Sequence, residues 1–426
     1  MLASSSQVFH PLLQPQFRHT HAPILVQILT FLMVASLFVG INQQNFASLF
    51  DLYWYYPLYL GVLLTGIRHT SLRILFRNRL MILSISLILM SLVSQIVSSY
   101  PWVDLIKQGG GWLLFSSTWL IFASWYRKHS FNLMSIYAAL AILAAALTLP
   151  EQVLHQLQIH VRPMKGGWLG LYRCYSITTE PFTLALLILP VLTCYLWHLF
   201  ELNFVQRVYL TVLLMALFFT FSGAGWLVLF CVLLAMGIVR SSGLYRAILW
   251  GLSVALGISF VLYGGTQLRI TQTLRLFQNY PHIPSQIQLN EANSSSRAVY
   301  LNAVAAGYQF SRNPITGGGL GSHKTAYQEA VLKPMEEQNI QVAHYNMSDG
   351  AAASLRWISE TGLMGIFLVL YWLRLGFKQQ NTQQQMSISA YLLAYLMHSG
   401  NYFQNGTFFW LVEALDPGTQ KKPPGS

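Results

Sequence analysis

The sequence predicts an all-α membrane protein with about eleven or twelve transmembrane helices. Of its 426 residues, 54% are hydrophobic and only 9% are charged. The apolar residues fall in long runs that are separated by short polar connections. This composition is typical of polytopic membrane proteins and argues against an ordinary soluble globular domain or a nucleic-acid-binding protein.

Crossing about 30 Å of hydrocarbon takes about 17–25 mostly apolar residues per helix. A weaker run at 406–415 is too short to span unaided, so we expect a partial span or an interfacial helix there. The predicted regions are N-terminal transmembrane helices (1–263), a long loop (264–351), C-terminal transmembrane helices (352–415) and a tail (416–426). Predicted spans lie at 22–41, 52–67, 80–99, 109–126, 131–149, 177–198, 207–221, 224–239, 244–263, 352–373 and 386–400.

Orientation follows from lysine and arginine, which concentrate in cytoplasmic connections. They occupy every second connection, as in "RHTSLRILFRNR" at 68–79, "RK" at 127–128 and Arg207. The N-terminus, which carries no recognisable cleavable signal, is therefore predicted to be cytoplasmic, and so is the C-terminus if the twelfth run crosses. The intervals 150–176 and 264–351 are long, basic and non-cytoplasmic, and they break the pattern.

Long loops translocate whatever their charge, so these basic residues need no function. That explanation suits 264–351, where five carboxylates nearly balance six basic residues. It suits 150–176 less well, because Arg162, Lys165 and Arg173 face Glu151 alone. Fixed positive charge there favours an anionic ligand, and phosphate is the anion that the arginine fork matches.

The segment "SSSRAVYLNAVAAGYQFSRNPITGGGLGSH" at 294–323 resembles part of a soluble protein. One of the three serines is expected to cap a helix that starts at Arg297 and ends before Pro314. An amphipathic helix in such a loop should lie along the membrane interface, with Arg297 near the headgroup plane. The glycines at 317–321 lack the lysine of a nucleotide-binding loop, so we expect them to let backbone approach a partner or another helix.

A second polar segment, "HYNMSDGAAASLRWISETGLMGIF", precedes and enters a predicted span. His344 is a candidate proton carrier, although a lone histidine here is also compatible with a simple interfacial side chain. Asp349 can cap the following helix. Arg356 and Glu360 are four residues apart, which places both on one helix face and favours a structural ion pair.

These motifs together resemble the O-antigen ligase and polymerase superfamily of bacterial envelope glycosyltransferases. The resemblance rests on "TFSGAGW" at 220–226, Arg297 with "NPITGGGLG" at 313–321, and "HYN" followed by "ETGLMG" at 344–365. It covers the C-terminal half of the chain by motif and the remainder by its pattern of spans. It implies a GT-C-like helical fold in the bacterial inner membrane, with amphipathic helices in a long periplasmic loop.

The resemblance also implies a reaction. A glycan on undecaprenyl pyrophosphate is transferred, with inversion and without a metal or cofactor, to a sugar hydroxyl on the periplasmic face. The acceptor is a second lipid-linked glycan in a polymerase or lipid A core in a ligase, and a chain-length regulator is an expected partner. A flippase or transporter of lipid-linked sugars is a further alternative, but neither an internal repeat nor paired helix interruptions are visible in the sequence.

The site residues are implied by position. Arg297 corresponds to the long-loop arginine that grips the leaving group, His344 to the histidine that activates the acceptor, and Arg173 to the arginine before a following span. Where many ligases have Ser-Arg in a turn between spans, this chain has Ser222-Gly223, which slightly favours the polymerase. The remaining candidates for substrate binding are Arg162, Lys165, Arg312, His323, Asn346 and Arg356.

Overall fold

The computed structural model describes residues 24–38, 55–67, 72–98, 100–128, 133–159, 171–178, 180–239, 243–264, 269–341, 346–347, 350–398, 401–403 and 406–415. Within these ranges all regular structure is helical, so the predicted all-α class is confirmed. A single π-helical turn, Gln328–Leu332, lies between α15 and α16. The helices are α1 (Ile24–Phe38), α2 (Tyr55–Ile67), α3 (Leu72–Arg77), α4 (Arg79–Ser98), α5 (Trp102–Lys128), α6 (Leu133–Ala146), α7 (Thr148–Gln156), α8 (Pro181–Trp197), α9 (Phe204–Thr220), α10 (Gly223–Val239), α11 (Gly243–Gly264), α12 (Arg269–Phe277), α13 (Gln286–Glu291), α14 (Ser294–Arg312), α15 (His323–Tyr327), α16 (Lys333–Glu337), α17 (Ala353–Phe377), α18 (Thr382–His398) and α19 (Thr407–Leu415).

Within the described ranges, each of the eleven predicted apolar runs coincides with helical structure, and the run at 131–149 is divided between α6 and α7. In the described ranges, three helical segments are long and apolar enough to cross a membrane: Arg79–Ile96, Leu133–Gln156 and Ala353–Phe377. Six other apolar helices are shorter, such as Pro181–Trp197. Association with a membrane is therefore supported, while the larger number of spans stays a prediction.

Large apolar side chains point outward from these long helices. On α4, Leu89, Val93 and Ile96 are 56–73% exposed, and on α17 Phe367 and Leu370 are similarly open. A soluble protein rarely leaves such contiguous apolar faces to water. The surrounding medium that suits these faces is lipid.

The core is aromatic where α5, α6, α18 and α19 meet. Tyr137 stacks on Phe409, with ring centroids 5.2 Å apart. Trp410 packs edge-on against Tyr137 and donates its Nε1–H to the Tyr137 hydroxyl at 3.3 Å. The short helix α19 is thus buried among other helices, and whether 406–415 is a partial span or an interfacial helix stays a prediction. Its large apolar side chains fill space between neighbouring helices.

Two predicted boundaries also need correction. Residues 150–156 belong to α7, so the connection predicted to begin at 150 remains helical through Gln156. The serine run at 294–296 lies inside α14, and the cap is Asn293, whose side chain accepts the Ser296 N–H at 2.9 Å. Asparagine ranks with serine as a cap, and only its carbonyl is positioned one turn ahead of that N–H.

The interval 269–341 has a hydrophobic cluster of its own. Helix α14 is at its centre, contributing Tyr300, Leu301 and Val304, and α12, α13, α15 and the π-helical turn pack around it. The Tyr300 hydroxyl donates to the His282 carbonyl at 2.6 Å and ties the α12–α13 connection to α14. These polar and apolar contacts make the interval a folded unit rather than an open loop.

Helix α17 is interrupted at Gly362, whose φ of 57° and ψ of −161° are not helical. The glycine loop, residues 314–322, closes the gap. Gly318 N and Gly319 N donate to the carbonyls of Ser359 and Glu360 at 3.0 and 2.8 Å. The N–H groups of residues 363 and 364 donate to the carbonyls of residues 314 and 315, both at 2.9 Å.

The close approach explains the glycines. Gly317 has a φ of 65°, and a Cβ there would lie 2.5 Å from the Glu360 carbonyl carbon. Serines of α4 hold the opposite side of the loop: Ser91 accepts the Leu320 N–H at 3.0 Å and Ser94 donates to the Thr316 carbonyl at 3.2 Å. The expectation that these glycines bring backbone against another helix is confirmed.

The interruption gives a first prediction. Gly362→Ala should lower the melting temperature in detergent, because its Cβ would lie 2.6 Å from Gly317 N and 2.7 Å from the Ile315 carbonyl oxygen. A positive φ combined with an extended ψ is essentially restricted to glycine and costs another residue about 1–3 kcal/mol. Gly110→Ala is the matched control, since a Cβ there meets nothing within 4 Å. Equal melting temperatures for the two variants would contradict the closed interruption.

Candidate functional site

Arg173 lies on a short irregular segment that α7 holds in place. The Glu151 carboxylate accepts the Ser176 N–H at 2.7 Å and the Tyr175 N–H at 3.2 Å. The neighbouring Gln152 accepts the Tyr172 N–H at 3.3 Å. Two consecutive residues of α7 therefore bind backbone N–H groups on both sides of Arg173. These hydrogen bonds fix the position of this half-buried cation.

The guanidinium of Arg173 reaches the turn between α9 and α10. Its Nε–H donates to the Thr220 carbonyl at 3.3 Å, and the adjacent Cys174 N–H donates to the Phe219 carbonyl at 2.9 Å. Phe221 takes a left-handed conformation to end α9, and Ser222 caps α10 by accepting the Gly225 N–H at 3.2 Å. Arg173 thus stands beside the turn that contains Gly223.

Arg297 lies in the first turn of α14 and is half-buried. Its backbone N–H donates to the Asn293 carbonyl at 3.0 Å, and its Nε is shielded from solvent. Arg312 closes the other end of the same helix, is exposed, pairs with Glu329 at 3.2 Å and stacks over Tyr308. The predicted helix therefore separates these two candidate arginines by its full length.

His323 is fully buried and neutral. Asn302 uses its amide N–H to donate to the Ala298 carbonyl at 2.7 Å, so its Oδ1 faces His323 Nε2 at 2.8 Å. Nε2 must then carry the proton, which leaves Nδ1 as an acceptor. Burial and, secondarily, the charge of Arg356 lower the pKa of His323 to about 3. A neutral imidazole with no exposed surface is poorly placed for the predicted substrate binding.

Arg356 and Glu360 form the predicted ion pair, with Nε and Oε1 2.9 Å apart and both side chains buried. The Arg356 guanidinium stacks over the Tyr402 ring at 4.1 Å. Tyr402 in turn packs against Trp357 and Trp112. Glu360 and Tyr402 are thus the partners of the Arg356 guanidinium inside the protein, and through them Arg356 holds α17 to the aromatic core. Arg356 is therefore badly placed to bind a substrate phosphate.

The segment before α17 folds tightly over this cluster. Asn346 and Ala351 have positive φ values of 49° and 56°, and the Gly350 N–H donates to the Asn346 carbonyl at 2.8 Å. Gly350 lies against both buried side chains, since a Cβ there would be 2.9 Å from Arg356 Cβ and 3.4 Å from His323 Nε2. Asn346 therefore serves a turn, for which asparagine tolerates the left-handed region. His344, Arg162, Lys165 and the predicted cap Asp349 lie outside the described residues.

Sequence reasoning missed several polar groups under the glycine loop. Asn302 and Gln309 lie on the alanine-rich face of α14, and Gln309 accepts the Tyr100 hydroxyl at 2.6 Å. Their signal was present: two amides on a small-residue face are unusual for a surface helix. Several buried atoms here have no hydrogen-bond partner among the residues described, namely Gln309 Nε2, Ser322 Oγ, His323 Nδ1, Ser359 Oγ and Glu360 Oε2.

The arrangement separates two kinds of charge. His323 and Arg356 come together in one buried cluster, where one is neutral and the other is paired. Arg173 and Arg297 are half-buried, and backbone hydrogen bonds fix the segments that carry them. Fixed cations at a boundary suit an anionic leaving group, because they stabilise charge without reorganising.

A scan of the chain against protein-family models found no match, and a search of curated proteins found none either. The argument for a function therefore depends on these residues and their geometry.

The buried histidine gives a second prediction. Because the folded-state pKa of about 3 is below the usual value of about 6.5, the unfolded chain binds the proton more readily. The contribution of His323 to the free energy of unfolding should therefore be complete above about pH 6.5. As the pH drops below that value the free energy of unfolding should decrease, and at pH 5 it should be lower by about 2 kcal/mol.

Thermal unfolding in detergent, measured from pH 7.5 to 5, checks this. His323→Gln keeps a donor toward Asn302 but cannot titrate, so its melting temperature should depend less on pH than that of the unaltered protein. Parallel curves for the two proteins would show that His323 does not set this dependence.

Proposed function

We propose that the chain is an inverting, metal-independent glycosyltransferase with a GT-C-like fold in the bacterial inner membrane. It transfers a glycan from undecaprenyl pyrophosphate to a sugar hydroxyl on the periplasmic face. The product is a longer lipid-linked chain, as in polymerisation of O-antigen or exopolysaccharide repeat units. Attachment of the glycan to lipid A core is the alternative outcome of the same chemistry.

One observation carries the proposal: Arg173 is held rigidly beside the α9–α10 turn. In the superfamily that the sequence resembles, this turn commonly bears its own arginine, and here the corresponding residue is Gly223. The neighbouring guanidinium supplies a cation from a different segment, and Glu151 and Gln152 keep it in place. A pyrophosphate leaving group needs such charge when the anomeric bond breaks.

Arg297 supplies the second cation in this proposal. It lies in the first turn of α14, where the helix dipole adds partial positive charge. The leaving group then departs as undecaprenyl pyrophosphate, while the incoming hydroxyl attacks the opposite face of the anomeric carbon and inverts it. His344 accepts the proton of that hydroxyl, as the resemblance implies.

The transporter alternative has one specific observation in its favour, the interruption of α17 at Gly362. Broken helices in transporters leave backbone carbonyls and N–H groups available to coordinate ions or substrates. Here the glycine loop already binds the carbonyls of Ser359 and Glu360. The interruption is thereby closed by the protein itself, and this favours the transferase over the transporter.

A third prediction tests the cation. Arg173→Ala should lower glycan transfer in proteoliposomes by about 100-fold, because it removes one electrostatic contact to the leaving group. Adding Gly223→Arg to that variant should restore about tenfold of the loss, because it returns a cation to the turn and a Cβ at 223 meets nothing within 4 Å. The assay measures released undecaprenyl pyrophosphate and the elongated glycan together.

Arg207→Ala is the matched control for Arg173→Ala. Arg207 is an exposed arginine at the other end of α9, about 20 Å from the turn by helical rise, and its Nε–H donates to the Leu202 carbonyl at 3.1 Å. Its replacement should leave transfer within about twofold of the unaltered rate. Equal losses from both arginines, or no loss from Arg173→Ala at equal protein level, would overturn the assignment.

A fourth prediction tests the orientation. In a Cys231→Ser background, in which the remaining cysteines at 174 and 194 are buried, exposed positions Gln328 and Arg77 are each replaced by cysteine. A membrane-impermeant maleimide should label Gln328→Cys in cells with a permeabilised outer membrane, whereas Arg77→Cys should react only after lysis. Labelling of Arg77→Cys alone in unlysed cells would put the proposed site in the cytoplasm.

A further inference from the structure

A cleft of about 330 Å³ opens between α12 and α13 in the folded unit 269–341. Leu276 and Ala292, both buried, form its apolar part. Its volume is at the lower end of the range of about 300–1,000 Å³ for small-molecule sites. Six polar side chains complete the lining: Gln272, Arg275, Gln278, Asn279, Gln288 and Glu291.

Hydrogen bonds to Oε1 fix the side-chain amides of Gln272 and Gln288, and the Nε2 donors of both amides stay available. Gln272 uses its Oε1 to accept the Asn293 N–H at 3.1 Å, and Gln288 uses its Oε1 to accept the Ser285 N–H at 3.1 Å. Within the described ranges, no hydrogen bond occupies the Nε2 of either amide or the side chains of Gln278 and Glu291. The lining therefore offers oriented N–H donors beside free carbonyl and carboxylate acceptors.

The charges of the side chains that line the cleft indicate the chemical class of the ligand. Arg275 and Glu291 cancel, so the cleft has no excess charge to attract phosphate. The four amides together leave N–H donors on Gln272, Gln278 and Gln288 and carbonyl acceptors on Gln278 and Asn279. This mixture matches hydroxyl groups, which both donate and accept. Sugars present such hydroxyls at high density. A nonpolar ligand would leave these amides without partners.

The position of the cleft relates it to Arg297. Gln272 bonds to Asn293, and the Asn293 carbonyl accepts the Arg297 N–H at 3.0 Å. One helical turn thus separates the cleft lining from the arginine that the proposed function assigns to pyrophosphate. The cleft and Arg297 are therefore neighbouring parts of the same folded unit.

We propose that this cleft binds one or two neutral sugar residues of the lipid-linked donor glycan. This inference rests on the proposed function, since the donor supplies the glycan. The site would bind the repeat unit next to the pyrophosphate leaving group. It would therefore contribute to recognition of the donor rather than to bond breaking.

Purified protein in detergent is titrated with lipid-free one- and two-repeat fragments cut from the source bacterium's own surface polysaccharide, using ligand-observed NMR. The double variant Gln278→Ala/Glu291→Ala removes two exposed lining groups that make no structural hydrogen bond in the described ranges. It should weaken binding at least tenfold, as expected for the loss of two hydrogen bonds. Glu336→Ala/Gln338→Ala, an exposed pair of the same chemistry in the same unit, should leave affinity unchanged.

Steady-state transfer with purified lipid-linked donor and acceptor then identifies which glycan occupies the cleft. The cleft variant should raise KM for donor about tenfold, with kcat and the acceptor KM nearly unchanged. A change in acceptor KM alone would overturn the donor assignment.

Equal fragment affinity in the unaltered protein and both variants would overturn the cleft as a sugar site, even if transfer is intact. Fragment binding that the cleft variant loses, in a protein that transfers nothing, would sink the proposed function while supporting the cleft.

Discussion

The hydrogen bonds that close the interruption of α17 are the constraint on which the rest of the structure depends. Inside a bilayer, an unsatisfied backbone group costs several kcal/mol, since no water is present to replace its partner. Gly362 ends one half of α17 and starts the other, and the freed groups find partners in residues 314–319. The glycine loop and the interrupted helix therefore supply each other's hydrogen-bond partners.

That mutual dependence fixes the polar cluster beside it. The loop leads directly into His323, and the first half of α17 bears Arg356 and Glu360. Asn302 of α14 reaches His323 from the opposite side. Three segments that are far apart in sequence therefore share one buried network, and this network joins the folded unit 269–341 to the aromatic core through Tyr402.

Much of the helical fold could be predicted, because apolar runs are local properties of the chain. The Arg356–Glu360 pair followed from helical spacing alone. The interruption at Gly362 could not be predicted, since glycine is common in transmembrane helices and the groups that close the gap lie more than forty positions away in sequence. The location of Arg173 against the α9–α10 turn depends in the same way on α7, which the span pattern had assigned in part to a loop.

The structure also limits which charges can act on a ligand. A buried ion pair such as Arg356–Glu360 is costly to break, and a histidine with a pKa of about 3 stays neutral at any physiological pH. Arg173 and Arg297 differ because backbone contacts fix their segments while their side chains remain half-buried. Burial and availability are thus opposed: the residues that hold the fold together most tightly are poor candidates for binding phosphate, although the sequence marks them as conspicuous intramembrane charges. Arg173 lies in a segment that Glu151 and Gln152 hold through its backbone N–H groups, and its half-buried side chain stands beside the α9–α10 turn.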